Sequence, residues 1–230
     1  MSSFLIGVVM ATANYQCCKV DRKRMTDSIQ WGERGNNVMV IFERPTIAAK
    51  ELGIPLIGRT GVNLCRLFER LRGIDSVKYQ NFCTKDVEIW NACSTDKKTI
   101  VTPDDYQLKC MRTSLKRKRF VLCFGGLARD LYTEVADGDK IMGKRQTVIE
   151  LCHLGDRGIS YFFWNMVGIK NIQPENLYKG MSMSTKLDVL AKGIDVCCNQ
   201  TGFFTQNDFV RAVRNEIATI SKNHDFILRG

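Results

Sequence analysis

The sequence predicts a single α/β domain built on a parallel sheet with helices on both faces. Three observations predict it. Short, almost wholly apolar runs alternate with segments of helical periodicity. Those runs are too uniformly apolar for a sheet with one wet face. No Pro/Ser-rich linker, internal repeat or low-complexity stretch divides the 230 residues, and 44% hydrophobic composition is ample for one sizeable core.

The elements follow in order. Val38-Met39-Val40-Ile41-Phe42, led in by Gly35-Asn36-Asn37, reads as the first buried strand. Thr60 stands as a helix N-cap ahead of Val62, Leu64, Cys65, Leu67, Phe68 and Leu71, with Gly73 at the C-terminal end. Val77 to Cys83 reads as a second strand, and Asp104 to Lys118 as a helix with a basic end. Phe120 to Phe124 is a third strand, followed at once by Gly125-Gly126 and a short helix through Tyr132. Thr147 to Cys152 is a fourth. Thr205 to Asn223 is the clearest amphipathic helix, with Phe209, Val213, Ile217 and Ile220 on one face. The expected architecture is a three-layer α/β/α sandwich around a four-stranded parallel sheet, with residues 1–230 as one domain. Beyond residue 170 no motif is interpretable, and helices completing the fold are expected.

Charge narrows the partners. Lys and Arg number 34 against 24 Asp and Glu, a net charge of +10. Such an excess favours a polyanion, nucleic acid before an anionic membrane surface. No apolar run approaches the roughly 20 residues of a membrane span. The apolar stretch Phe4 to Ala11 is short, has no basic leader and is followed by polar Asn14, Tyr15 and Gln16, so no secretion signal is expected. Several of the ten cysteines sit inside apolar segments, as Cys65 and Cys123 do, which suits reduced, buried thiols in a cytoplasmic protein, or a nuclear one in a eukaryote. There is no C-x-x-C, and His153 and His224 are the two histidines, so neither metal nor other cofactor is expected.

In a parallel sheet, ligands bind beyond the carboxyl ends of the strands. That directs attention to Glu43, Asn81, Gly125 and His153 and the residues after each. Phe42-Glu43-Arg44-Pro45 is followed by seven residues and then Gly53-Ile54-Pro55-Leu56-Ile57-Gly58-Arg59-Thr60-Gly61, running into a helix. A Gly/Pro-rich loop ending at a helix N-terminus can bring backbone N–H groups to an anion. This segment resembles the strand–GEAPG–loop–G-x-P-F-x-G-x-[SA]-G–helix pattern of the iron–sulfur-containing branch of the uracil-DNA glycosylase superfamily. Glu43 and Pro45 fall on its Glu and Pro, and Gly53, Pro55, Gly58 and Gly61 on its later Gly and Pro positions. Tyr79-Gln80-Asn81-Phe82-Cys83 is similar to the family's strand ending in Asn, Val121 to Ala128 to its third strand and turn, and Val148 to Arg157 to its strand and H-P-S-P loop. The four segments span roughly residues 38–160.

The resemblance implies a uracil-DNA glycosylase-like fold and a role for each segment. Glu43 would stabilise an oxocarbenium-like sugar or orient water, and His153 would donate to the base oxygen as charge gathers there. Asn81 would read the edge of a flipped base, with Leu56 and Phe42 lining its pocket. Gly58, Arg59, Thr60, Gly125 and Gly126 would meet the DNA backbone, and Arg157 would wedge into the duplex or contact a phosphate. The sequence also departs from the pattern. The aromatic that stacks on uracil is Leu56, H-P-S reads His153-Leu154-Gly155, Arg44 stands where other branches carry a catalytic Asp, and the iron–sulfur cysteines are not recognisable. These departures imply a modified pyrimidine rather than uracil as the base removed.

Simpler readings stand beside these. Lys116-Arg117-Lys118-Arg119 is expected to be a solvated helix end, with phosphate contact second. Tyr161-Phe162-Phe163-Trp164 is expected in the core rather than as a base-stacking platform. The leading expectation is a monomeric, monofunctional DNA glycosylase acting on single- or double-stranded DNA. A catalytically silent DNA- or protein-binding module of the same fold is the alternative, and a nucleoside or nucleotide hydrolase a weaker one.

Overall fold

The computed structural model describes residues 30–31, 36–45, 58–84, 86–96, 99–137, 145–167 and 181–228. Leu56, with Gly53 and Pro55 of the same loop, lies outside the described residues, as do Phe4 to Ala11.

Eight strands are described: β1 (Gln30–Trp31), β2 (Val38–Phe42), β3 (Glu88–Asn91), β4 (Ser94–Asp96), β5 (Thr99–Val101), β6 (Phe120–Phe124), β7 (Thr147–Leu151) and β8 (Gly202–Phe204). The main sheet has the order β1-β3-β2-β6-β7-β8, while β4 and β5 form a separate hairpin. β3, β2, β6, β7 and β8 are parallel, and β1 runs antiparallel at the edge. The parallel sheet therefore has five strands rather than the four expected. The fifth, β8, comes from the region expected to be helical, and three residues are too few to show a period.

The helices are α1 (Arg59–Ile74), α2 (Asp105–Leu115), α3 (Gly126–Asp137), α4 (Asp156–Tyr161) continuing into a π-turn (Phe162–Met166), α5 (Met183–Cys198) and α6 (Gln206–Leu228). Alternate residues of each buried strand face opposite layers. Val38, Val40, Phe42, Leu122 and Ile149 pack under α1, α4, α5 and α6. Met39, Ile41, Trp90, Val121, Cys123 and Val148 pack under α2 and α3. Each such side chain contributes about 1.5–3 kcal/mol by burial. β2, β6 and β7 are buried along their whole length, which is why β2 and β6 read as continuous apolar runs.

The second strand is misplaced by the sequence reading. Val77 to Cys83 folds as successive turns, with Tyr79 N–H donating to Asp75 O at 3.1 Å and Phe82 N–H to Tyr79 O at 3.0 Å. Tyr79 and Phe82 are buried by aromatic packing and not by strand pairing, while Val77 is exposed. The Phe82 ring lies 5.0 Å from Tyr79, 5.2 Å from Phe68 and 5.3 Å from Phe120. The Tyr79 hydroxyl donates to Asp195 of α5 at 2.5 Å, and Lys78 Nζ pairs with the same carboxylate at 2.7 Å. Burial foremost, with the neighbouring Asp195 and Cys198, raises the Tyr79 phenol far above its ordinary range.

The strand at that place in the sheet is β3, which opens on buried Glu88 and closes on buried Asn91. Glu88 is satisfied on several sides. Lys118 Nζ stands 2.7 Å away with both side chains wholly inaccessible, Trp90 Nε1 donates at 2.8 Å, and the Ser114 hydroxyl also donates. Lys118 donates as well to Asn36 O at 2.5 Å. Lys118 is thus no solvated helix-end charge but half of a buried ion pair, whereas Lys116, Arg117 and Arg119 are exposed.

Helix starts follow ordinary capping chemistry. Asp104 and Gln107 form a reciprocal capping box on α2, at 2.7 and 2.9 Å. The N-cap of α1 is Gly58 and not Thr60, so Thr60 lies in the first turn. The described cysteines form no disulfide, and all except Cys110 are buried. No described helix is long and apolar enough to cross a membrane.

Candidate active site

The loops that follow β2, β6 and β7 meet at the carboxyl edge of the sheet. Phe42 and Phe124, the last residues of adjacent strands, stack with ring centroids 5.0 Å apart and planes 15° apart, beneath that meeting point. The residue after Phe42 is Glu43. Its carbonyl accepts from Cys93 N–H at 3.0 Å, while Ala92 N–H donates to Phe42 O at 2.8 Å. These bonds extend the β2–β3 ladder one residue past the strands and fix the Glu43 backbone.

The Glu43 carboxylate then turns toward β6 and β7. One oxygen, Oε1, accepts from Leu127 N–H at 3.3 Å, in the first turn of α3, so the positive end of that helix faces the carboxylate. The other, Oε2, lies 3.4 Å from His153 Nε2. The two side chains are 23% and 57% exposed, so the acid is sheltered and the imidazole open to solvent. Glu43 and His153, far apart in sequence, thus share one contact.

Two glycines make that contact possible. Gly125 has φ +100, a conformation that disfavours L side chains, and a Cβ there would stand 2.4 Å from Glu43 Oε1. Gly158, in α4, approaches His153 so closely that a Cβ would fall 2.5 Å from His153 Cβ and 2.6 Å from its carbonyl oxygen. The α4 backbone therefore lies directly against His153. Buried Asn63 of α1 anchors the same loop, donating to Leu154 O at 2.7 Å and to Asp156 Oδ1 at 3.0 Å. Arg59 Nε lies 3.6 Å from Asp156 Oδ2 in an exposed pair.

The expected backbone-contact residues divide. Gly58 and Arg59 are exposed at the start of α1, and Thr60 is half-buried nearby. Gly125 is not available as a phosphate donor, because its N–H donates to Leu151 O at 3.0 Å and its open face is filled by Glu43. It is a seat for the carboxylate. Gly126 begins α3 beside it with no atom near a Cβ position. Arg157 is exposed in the first turn of α4.

Asn81 does not join the site. Its side chain donates to Asn37 Oδ1 at 3.1 Å and its carbonyl accepts from Asn36 Nδ2 at 3.2 Å. Asn36 and Asn37 precede β2, so Asn81 lies at the amino edge of the sheet, opposite Glu43 and His153. Its expected place at the carboxyl edge depends on a strand over Val77 to Cys83, which folds as turns instead. The asparagine that ends a strand at the carboxyl edge is Asn91, paired in register with Phe42 and buried. Sequence reading passed over it because Glu-Ile-Trp-Asn is too polar to read as a strand. Asn63 was passed over as well, although an asparagine on the apolar stripe of a helix is itself a signal, being a poor helix former that needs a polar partner.

Among the described residues, no group of three or more His, Cys, Asp or Glu side chains is placed to hold a metal ion. Comparison with known protein families finds no matching family model, and comparison with curated proteins finds no match.

Proposed function

We propose that this protein is a monofunctional DNA glycosylase that removes a modified pyrimidine from DNA. The observation that carries the reading is the 3.4 Å approach of His153 Nε2 to Glu43 Oε2 at the carboxyl edge of the parallel sheet. A carboxylate and an imidazole so placed suit cleavage of an N-glycosidic bond. That reaction builds positive charge on the sugar and negative charge on the departing base. In this reading Glu43, held by Leu127 N–H, faces the sugar, stabilising its charge or orienting the water that attacks it. His153, more exposed, donates toward the base. The bond from sugar to base breaks, the water oxygen bonds to the sugar carbon, and the proton it releases balances the leaving base.

The resemblance of the segments around Glu43, Gly125 and His153 to the uracil-DNA glycosylase superfamily supports this reading, and so does the net charge of +10. Extruding the base costs a few kcal/mol, which contacts to it in the pocket must offset.

The test is strand cleavage by alkali after incubation with DNAs containing uracil, hydroxymethyluracil, hydroxymethylcytosine or glucosylated hydroxymethylcytosine. Breaks are expected on one of the modified bases, with the rate reduced about 10²–10⁴-fold in His153→Ala. DNA that is bound but never broken would instead support the silent recognition module.

A further inference from the structure

We propose that the exposed face of α4 and its π-turn is a stacking platform for unpaired bases, so that the DNA taken by the Glu43–His153 site is presented single-stranded. The class of ligand rests on the glycosylase reading. The platform itself rests on the helix.

Arg157, Tyr161 and Trp164 recur at i, i+4 and i+7 and so share one face of this continuous segment. The opposite face supplies Ile159, Phe162 and Phe163 to the core, all at 1% exposure or less. Tyr161 is 62% exposed and Trp164 45%. The run Tyr161 to Trp164 is therefore divided between core and surface, not wholly core as its composition suggests. Two large rings exposed to this extent on one face offer a surface on which a ligand with an apolar face can stack.

Charge identifies that ligand. Arg157 has no ion-pair partner among the described residues. Lys186 Nζ reaches Ser160 Oγ at 3.4 Å on one side of the segment. Arg214 donates to Val167 O at 2.7 Å and to Met166 O at 3.0 Å at its far end. The one carboxylate in the first turn, Asp156, is engaged by Asn63 and Arg59. Rings flanked by cations suit a polyanion carrying π-faces, which describes a nucleic acid with its bases unstacked. In a duplex those faces are covered by neighbouring pairs. The platform also begins at the site, since Gly158 brings α4 against His153. A strand leaving His153 would meet Arg157, then Tyr161, then Trp164.

Fluorescence anisotropy with a labelled oligothymidylate of about 20 nucleotides, and with a duplex of the same length, tests this directly. Tyr161→Ala and Trp164→Ala are each expected to weaken single-strand binding about tenfold, within the range for loss of one stacked base. Tyr161→Phe and Trp164→Phe should bind as the wild type does, and duplex affinity should change by less than about twofold for all four. The oligonucleotide should also quench tryptophan emission in the wild type, and much less in Trp164→Phe. Both rings project from the surface, so circular dichroism should show every variant folded. Undiminished single-strand binding by the alanine variants, or equal loss on single strand and duplex, overturns the inference. Base release is measured in parallel. Ring-dependent single-strand binding without base release from any DNA leaves the platform standing and removes the glycosylase reading. Base release with no dependence on the rings does the reverse, and a wild type that binds neither DNA overturns both.

Discussion

Replacing Lys118 by Met is expected to destabilise the fold by about 3–5 kcal/mol, the largest stability effect of any single substitution considered. The cost comes from what remains. Glu88 is wholly buried, and its carboxylate would lose the ammonium 2.7 Å away while still excluded from water. The carbonyl of Asn36 would lose its partner as well. Trp90 and Ser114 would still donate to Glu88, which keeps the penalty at the scale of a broken pair rather than a bare ion. The double variant Lys118→Met with Glu88→Gln should recover part of the loss, because the uncharged Gln keeps an acceptor oxygen for Trp90 while its NH2 can donate to the Ser114 hydroxyl, which can turn to accept. Urea unfolding monitored by circular dichroism measures both. A change below about 1 kcal/mol for Lys118→Met would mean that water reaches Glu88.

Gly125→Ala is expected to have the largest effect on activity for its effect on stability. At φ +100 an alanine costs about 1–2 kcal/mol. Its Cβ would also stand 2.4 Å from Glu43 Oε1, 2.6 Å from Cδ and 2.8 Å from Cγ. Those atoms belong to a side chain and can move, so the fold gives way cheaply, but the carboxylate must then leave both Leu127 N–H and His153. Base release should fall toward the level of Glu43→Gln, about 10²–10⁴-fold below wild type. Gly126→Ala is the steric control: no protein atom lies within 4 Å of its Cβ position, so the Glu43–His153 contact should survive and base release should fall far less than in Gly125→Ala. Loss of activity in Gly126→Ala equal to that in Gly125→Ala would show that the helix start, and not the seat of Glu43, is what matters.

The parts of the fold legible in the sequence are those buried on both sides. β2 and β6 carry apolar residues at every position because helices cover both faces, and their composition alone marks them; β7 keeps Val148, Ile149 and Leu151 alongside two buried polar residues. β3 escaped because two of its four residues are polar, and what makes Glu88 tolerable there is Lys118, a residue distant in sequence and hidden in a basic run. Tyr79 and Phe82 were misleading for the converse reason, since aromatic clustering buries residues of a turn as completely as a sheet does. The candidate site followed the same division. Glu43 and His153 follow legible strands and come together at one edge of the sheet, whereas Asn81, expected at the end of a strand, lies in a turn at the opposite edge. The use of Gly125 as the seat of Glu43 depends on a distance across the sheet that no local pattern encodes.

The most direct measurement is a double-mutant cycle on base release with Glu43→Gln, His153→Ala and the two combined, on whichever modified DNA the wild type cleaves. If the two side chains act as one unit, each single substitution should lower the rate about 10²–10⁴-fold, and the double variant should be little worse than the poorer single. Wild-type rates in both single variants, or losses that simply multiply in the double, would show that the 3.4 Å contact between Glu43 and His153 is not the centre of the chemistry.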